Sequence, residues 1–259
     1  MEPMQWAGLA VGLAVMAVGY GYFAVAPFAV ASWPWSQSPF DYLLASSFLL
    51  AAGAVIAWLS IVGEWGAAAG ATLNVGSMNV AAAAFLAYRY TQSHDARLAT
   101  RAAAFTLFAL TNLCAFAWSR RQPIRDRRPV ERPLKIAFAL FTALLTVAWV
   151  QLFRLSQTIF PWALEANTEV LVGTLFFGSS VYFGYGLWAT RWHEMRGQLI
   201  AFLVYDLVLV FPYLAMFDSA YSDHRPSLIA YLTVIVSSGL FSVYYLFIHP
   251  RTRRWAIVE

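Results

Sequence analysis

One aspartate lies in the middle of an apolar segment, where a charge is costly. Asp206 follows Phe202-Leu203-Val204-Tyr205 and precedes Leu207-Val208. An ionised carboxylate at the centre of a bilayer costs at least about 2.5–3.5 kcal/mol, so such a residue normally faces a cavity or a partner. Burial disfavours the charged form, which suits a carboxyl group to carrying protons. Asp206 is therefore the first candidate for binding a solute or a proton. A structural hydrogen bond to a neighbouring side chain is the alternative.

Four further polar residues fall at depths that fit the same site. Tyr213 comes seven residues after Asp206 and therefore lies on the same helical face. Asn79 lies 127 positions before Asp206 in another apolar segment, with Asn74 close by and Asn112 in the next segment. Together they predict a polar pocket near the middle of the membrane. The alternative is hydrogen bonding between helices, worth about 0.6 kcal/mol per contact on average.

Other residues that can carry chemistry are interpreted as structural. Glu64 falls in a short break between two apolar segments and is predicted to be a solvated turn residue. Trp192-His193-Glu194 is interpreted as a polar loop at a span end. The four histidines lie in loops or at span ends and the chain has one cysteine, Cys114. Opposed histidines for haem and a cysteine-rich metal site are thereby excluded. The sequence predicts neither a metal nor a cofactor.

The pattern favours a small-solute transporter or permease with its site around Asp206. One alternative is a non-catalytic membrane subunit that binds a membrane-protein partner or a second copy. Another is a protein that binds or modifies a lipid or isoprenoid, for which tyrosines are plentiful in the C-terminal half. No second acid or base lies at the depth of Asp206, which favours a protein that is not an enzyme. A retinal Schiff base is excluded because the only lysine, Lys135, flanks a span.

The elements that must position these residues are membrane helices. Hydrophobic residues make up 61% of the 259-residue chain and charged residues 12%, with a mean hydropathy of +0.61. A water-soluble domain needs far more surface charge. Apolar segments of about 17–25 residues recur throughout, which predicts an all-α polytopic bundle forming a single integral membrane domain over residues 1–259. The predicted spans are Trp6–Val30, Tyr42–Val62, Gly66–Tyr88, Ala102–Trp118, Ile136–Phe153, Val170–Thr190, Leu199–Phe217 and Leu228–Ile248.

Basic residues predict how the bundle is oriented. Seven of them fall between Ser119 and Lys135, and the positive-inside rule places that loop in the cytoplasm of a cell whose inner membrane holds the protein. Eight spans then put both termini in the cytoplasm. The net charge of +4 reflects this orientation rather than nucleic-acid binding. The Tyr90–Arg101 loop fits poorly, because it would be external yet basic. If Gly66–Tyr88 re-enters the membrane instead of crossing it, the count falls to seven.

Landmarks recur in the two halves of the chain, residues 1–130 and 131–259. Pro34-Trp35 is matched by Pro161-Trp162, 127 positions later, and Tyr90–His94 by Tyr221–His224, about 130 positions later. These matches predict a parallel repeat of four plus four spans, a scheme that transporters use. The alternative is chance, since proline, tryptophan and tyrosine are common at span ends.

Overall fold

A computed structural model describes residues 1–33, 38–155, 159–218 and 225–253. Over these ranges, eight helices are long and apolar enough to cross a membrane. The prediction of an all-α, multi-pass membrane protein is therefore confirmed. Two landmarks of the predicted repeat, Pro34-Trp35 and Tyr221–His224, lie outside the described residues.

The helices follow one another with short links. They are α1 (Pro3–Phe23), α2 (Pro27–Ser32), α3 (Pro39–Val62), α4 (Ala69–Ser93), α5 (Ala96–Ser119), α6 (Arg132–Phe153), α7 (Ala166–Trp188), α8 (Trp192–Ala215) and α9 (Arg225–Val243). A 3₁₀ turn, Trp65–Ala68, leads into α4, and a π turn, Tyr244–Ile248, extends α9. At 1.5 Å per residue the 25 residues of α4 reach about 37 Å, enough to cross the bilayer. The eight-span prediction therefore holds, and the seven-span alternative does not.

Two boundaries differ from the prediction for local reasons. The first span ends at Phe23 and not at Val30, because Pro27 has no amide hydrogen to continue the helix and begins α2 instead. The predicted Tyr90–Arg101 loop contracts to two residues. His94 adopts a left-handed conformation with φ of 55°, and the Asp95 carboxylate accepts a hydrogen bond from the first turn of α5.

The bundle has an inner and an outer set of helices. α3 packs against α8 and α4 against α7, so these four form the centre. Each central helix carries one outer helix, with α1 on α3, α5 on α4, α6 on α7 and α9 on α8. The outer helices expose large apolar side chains such as Leu107 and Ile136, which are 65% and 70% exposed. These faces are suited to contact with lipid.

Small residues let the central helices approach closely. A Cβ atom on Gly70 of α4 would overlap the ring of Tyr182 on α7. A Cβ atom on Gly178 of α7 would lie 2.5 Å from the Asn74 side chain and 2.7 Å from its carbonyl oxygen. No larger residue fits at either position without moving a neighbour.

This contact gives a test of the packing. Gly70→Ala is expected to lower the free energy of unfolding by about 1–3 kcal/mol, because Tyr182 must shift within a filled core. Gly184→Ala is the matched control, since its Cβ would meet one methyl group, that of Thr142, at 3.8 Å. SDS titration of the detergent-solubilised protein, followed by circular dichroism, measures both. Equal stability of the two variants would contradict the described α4–α7 contact.

The helix bounds and pairings agree with the predicted repeat. α3 and α7 begin at Pro39 and Ala166, 127 residues apart, and α5 and α9 begin at Ala96 and Arg225, 129 residues apart. In the repeat, α1, α3, α4 and α5 of the first half correspond to α6, α7, α8 and α9 of the second. The α1–α3 contact then corresponds to α6–α7, the α4–α5 contact to α8–α9, and the α3–α8 contact to α7–α4. This is the packing that a parallel duplication requires; the duplication itself stays a prediction.

Candidate functional site

Asp206 lies in the contact between α8 and α9, near the middle of both helices. It is 5% exposed, and the Ser238 hydroxyl donates a hydrogen bond of 2.8 Å to Asp206 Oδ2. Gly239 allows this approach, since a Cβ there would lie 3.4 Å from the same oxygen. Within the described ranges, no arginine, lysine or histidine lies within salt-bridge distance of Asp206. The carboxyl group is therefore buried between α8 and α9 with a hydroxyl as its hydrogen-bond donor.

Tyr213 occupies an aromatic cluster farther along α8. Its ring is buried and lies 5.6 Å from that of Trp162 and 5.2 Å from that of Tyr231, measured between centroids. The hydroxyl of Tyr231 also shares a hydrogen bond with that of Tyr205. The cluster joins α8 and α9 to the segment before α7. Tyr213 thus packs in the core near the end of α8 and has no hydrogen bond to Asp206 among the described contacts.

The three asparagines do not meet Asp206. Asn79 donates to the Val75 carbonyl at 2.7 Å and Asn112 to the Phe108 carbonyl at 2.9 Å, each within its own helix. Asn74 lies against Gly178. They are separated from Asp206 because α4 packs mainly on α5 and α7, whereas α8 packs mainly on α3 and α9. No hydrogen bond in the described part of the chain joins them, so the role of each stays a prediction.

A second cluster of titratable residues lies at the end of the bundle that carries the 120–131 loop, here called the arginine-rich end. His193 Nδ1 lies 2.6 Å from Asp126 Oδ2, and His193 Nε2 lies 3.2 Å from Glu64 Oε2. The side chains of all three residues are fully buried. The Asp126 amide also donates to Glu64 Oε1 at 2.8 Å. We call Glu64, Asp126 and His193 the buried triad.

Three separate segments bring the buried triad together. Gly63 ends α3 in a left-handed conformation with φ of 69°, which turns the chain so that Glu64 points inward. His193 is the second residue of α8, and Asp126 comes from the 120–131 loop. The Trp58 ring of α3 stacks on the His193 ring at 5.3 Å between centroids. The triad therefore fastens the loop to the α3–α4 turn and to the start of α8.

Two arginines set the charge around the triad. Arg128 Nε donates to both Asp126 carboxylate oxygens, at 2.9 and 3.0 Å. Burial alone would raise the pKa of Asp126, but the hydrogen bonds from His193 and Arg128 outweigh it and hold this pKa well below its usual range. The guanidinium of Arg196 lies over the Trp58 ring, 5.9 Å from its centroid. Asp126 is therefore ionised, with positive charge close to both triad carboxylates.

The geometry of the triad does not suit a metal ion. Asp126 and Glu64 meet different nitrogens of one imidazole, so they lie on opposite edges of the ring. They cannot converge with a histidine nitrogen on a common centre. Among the described residues, no group of three or more histidine, cysteine, aspartate or glutamate side chains is placed to hold a metal.

A cleft opens on the arginine-rich end beside the triad. Its volume is about 350 Å³. Its lining residues are Glu2, Gln5, Gly63, Trp65, Gln122, Pro123 and Arg125. Gly63 and Trp65 are the chain neighbours of Glu64, so one wall of the cleft lies next to the triad carboxylate.

Two interpretations from sequence are wrong. Glu64 is 1% exposed and is not a solvated turn residue, because the 120–131 loop folds over it. His193 belongs to α8 and is 0% exposed, so Trp192-His193-Glu194 is not a loop. One residue in the sequence does point to this cluster. Asp126 is an acid within a strongly basic loop, and such an acid is typical of a buried ion pair with a nearby cation.

Comparison with known proteins identifies no family for this chain. The chain matches no protein-family model, no curated protein and no solved structure. Functional assignment therefore depends on the geometry of its own residues.

Proposed function

We propose that the protein is a proton-coupled transporter of a small solute and that Asp206 is its proton-binding or solute-binding residue. One observation supports the proposal: the Asp206 carboxyl group is buried near the middle of α8, accepts a hydrogen bond from the Ser238 hydroxyl, and has no cation within salt-bridge distance among the described residues. Ionisable residues within membrane-spanning segments commonly mark ion and substrate pathways. One hydrogen bond from a serine hydroxyl does not explain why this residue is an acid, because a neutral amide or hydroxyl side chain would accept the same bond and pack equally well.

The helix pairing supports the same proposal. The α3–α8 and α4–α7 contacts join the two halves of the chain, while each outer helix packs on a central helix of its own half. Such an arrangement suits two four-span bodies that rock against each other, with Asp206 inside the second body between α8 and α9. Movement at the α3–α8 contact would change the surroundings of α8 and therefore the access of water to Asp206.

The proposed orientation follows the positive-inside rule. The arginine-rich end would face the cytoplasm of a cell whose inner membrane holds the protein, and both termini would lie on that side. The solute is a small polar or hydrophobic molecule, and the protein acts on it by binding and release.

Transport by a variant with a neutral residue at position 206 tests the proposal. Purified protein is reconstituted into vesicles, an inward proton gradient is imposed, and the contents are analysed by mass spectrometry after exposure to pooled amino acids, sugars, nucleosides, amines and organic acids. Wild type is expected to accumulate at least one compound. Asp206→Asn is expected to reduce that accumulation to the level of protein-free vesicles, because the amide cannot exchange a proton.

Asp95→Asn is the matched control. Asp95 is exposed and caps the first turn of α5, a position that asparagine fills equally well. This variant should transport like wild type. Equal accumulation by wild type, Asp206→Asn and protein-free vesicles would contradict the proposed function.

A further inference from the structure

The cleft at the arginine-rich end is built from three distant parts of the chain. The start of α1, the α3–α4 turn and the 120–131 loop each contribute lining residues. A Cβ atom on Gly63 would overlap the Gln5 side-chain nitrogen, so glycine at this position lets the Gln5 amide group lie against this wall. The volume of about 350 Å³ falls in the range of ligand pockets, about 300–1,000 Å³.

The lining of the cleft is rich in hydrogen-bond donors. Arg125 Nη2 donates to the Gly63 carbonyl oxygen at 3.4 Å, which holds the guanidinium at the cleft. A guanidinium has five N–H groups, more than this bond uses. Gln5 Oε1 accepts from the Glu2 amide at 2.7 Å, and Gln5 Nε2 lies against Gly63. Trp65 adds an indole N–H group, which can only donate. The lining therefore suits a ligand that carries acceptor oxygens and negative charge.

Tryptophans place the cleft at the depth of lipid headgroups. Trp65 lines the cleft, and its ring lies 6.3 Å from that of Trp118, measured between centroids. Trp118 is 41% exposed, and Trp6 in the first turns of α1 is 60% exposed. Tryptophan is enriched where a membrane meets water. The acceptor-bearing groups nearest to the cleft are therefore the phosphates of the bilayer.

Positive charge predominates around the cleft. Four arginines of the 120–131 loop are exposed: Arg120, Arg121, Arg125 and Arg127. The acid of this loop, Asp126, is buried and paired with Arg128. Glu2 supplies the acidic side chain of the lining. Clustered arginines at headgroup depth attract anionic lipids, and a guanidinium binds two phosphate oxygens at once.

We propose that this cleft binds the headgroup of an anionic phospholipid, with the phosphodiester oxygens on the Arg125 guanidinium and the Gln5 amide. The inference is independent of Asp206 and of transport. α1 continues from the cleft into the bilayer and exposes Val11 and Leu13, apolar side chains suited to contact with acyl chains. The bound lipid links the start of α1 to the 120–131 loop.

Lipid binding to the detergent-solubilised protein, measured by native mass spectrometry, tests the proposal. Wild type is titrated with phosphatidylglycerol, phosphatidylethanolamine and phosphatidylcholine of the same acyl chains, and the dissociation constants of the first bound lipid are compared. Phosphatidylglycerol should bind about fivefold more tightly than the other two, whose ammonium groups bring positive charge to the arginines. Equal affinity for all three lipids, or tighter binding of a zwitterionic one, would overturn the proposal.

Arg125→Gln is the decisive variant and Arg127→Gln is its matched control. Each removes one exposed arginine from the same loop, but Arg125 lines the cleft and Arg127 does not. Arg125→Gln should weaken phosphatidylglycerol binding about tenfold, the effect of losing a hydrogen bond to a charged group. Arg127→Gln should change it by no more than about twofold. Equal losses in the two variants would indicate diffuse attraction to the loop and would overturn the site.

Glu2→Gln keeps the proposal falsifiable if Arg125→Gln fails to fold. It removes the acidic side chain from the lining, so phosphatidylglycerol should bind about threefold more tightly, a gain that misfolding cannot produce. Unchanged or weaker binding would contradict the proposed position of the headgroup.

Glycerophosphoglycerol, which has the same headgroup without acyl chains, distinguishes a membrane lipid from a soluble phosphodiester. It should not displace phosphatidylglycerol when the two are present at equal concentration. Displacement would assign the cleft to a soluble ligand and overturn the lipid site. Failure of transport by Asp206→Asn leaves each of these results unaffected, because lipid binding is measured without transport.

Discussion

Replacing Asp126 by alanine is expected to lower the free energy of unfolding by about 3–5 kcal/mol, the cost of removing one partner from a buried ion pair. The substitution removes the buried carboxylate that accepts from Arg128 Nε and from His193 Nδ1. It also removes one of the contacts between the 120–131 loop and α8, the hydrogen bond to His193. SDS titration followed by circular dichroism measures the loss.

Arg127→Ala is the matched control, because Arg127 is exposed in the same loop. It should change the free energy of unfolding by no more than about 0.5 kcal/mol. The lowered pKa of Asp126 gives the effect a pH dependence of known sign. The stabilisation is present above the ordinary aspartate pKa of about 3.9 and is lost as the pH falls through the lowered value. Equal losses in the two variants would show that the Asp126 contacts do not stabilise the fold.

Trp162→Ala is expected to destabilise the opposite end of the bundle by about 3–5 kcal/mol, a cost typical of deleting a buried aromatic side chain. Trp162 is 4% exposed, packs against Phe160 and Tyr213, and donates from Nε1 to Asp41 Oδ1 at 2.9 Å. The variant leaves a cavity and also removes a hydrogen-bond donor from Asp41, which is buried.

Two further variants separate these contributions. Trp162→Phe keeps most of the packing and removes the donor, so it should cost about 1–3 kcal/mol, the penalty for an unsatisfied buried polar group. Trp188→Ala is the control, since Trp188 is 78% exposed. The same SDS titration ranks the three. A loss for Trp188→Ala as large as that for Trp162→Ala would contradict the described burial.

The spans were predictable because lipid imposes one simple requirement on every segment. A helix that crosses the bilayer needs about 20 apolar residues, and each span satisfies this within its own sequence. The ends were harder to place. Phe23 ends α1 because of a proline four residues later, and His94 ends α4 by adopting positive φ, which composition does not reveal.

The candidate sites differ in how much of each was predictable. Asp206 stands out from sequence because an acid within an apolar span is unusual wherever its helix packs. The buried triad depends on three segments that are distant in the chain, and Glu64 and His193 each look ordinary at a span end. They become a cluster because the 120–131 loop folds over the α3–α4 turn and brings Asp126 into contact with both. The asparagines show the reverse, since similar depth did not bring them to Asp206 because their helices pack elsewhere.

The proton-exchanging carboxyl group proposed at Asp206 can be examined directly by infrared spectroscopy of the reconstituted protein, without knowledge of the solute. We expect a protonated-carboxyl band that is absent in Asp206→Asn and that shifts when H₂O is replaced by D₂O, because a transport site must meet water. A spectrum identical in wild type and Asp206→Asn, or an Asp206 band that does not respond to D₂O, would contradict it.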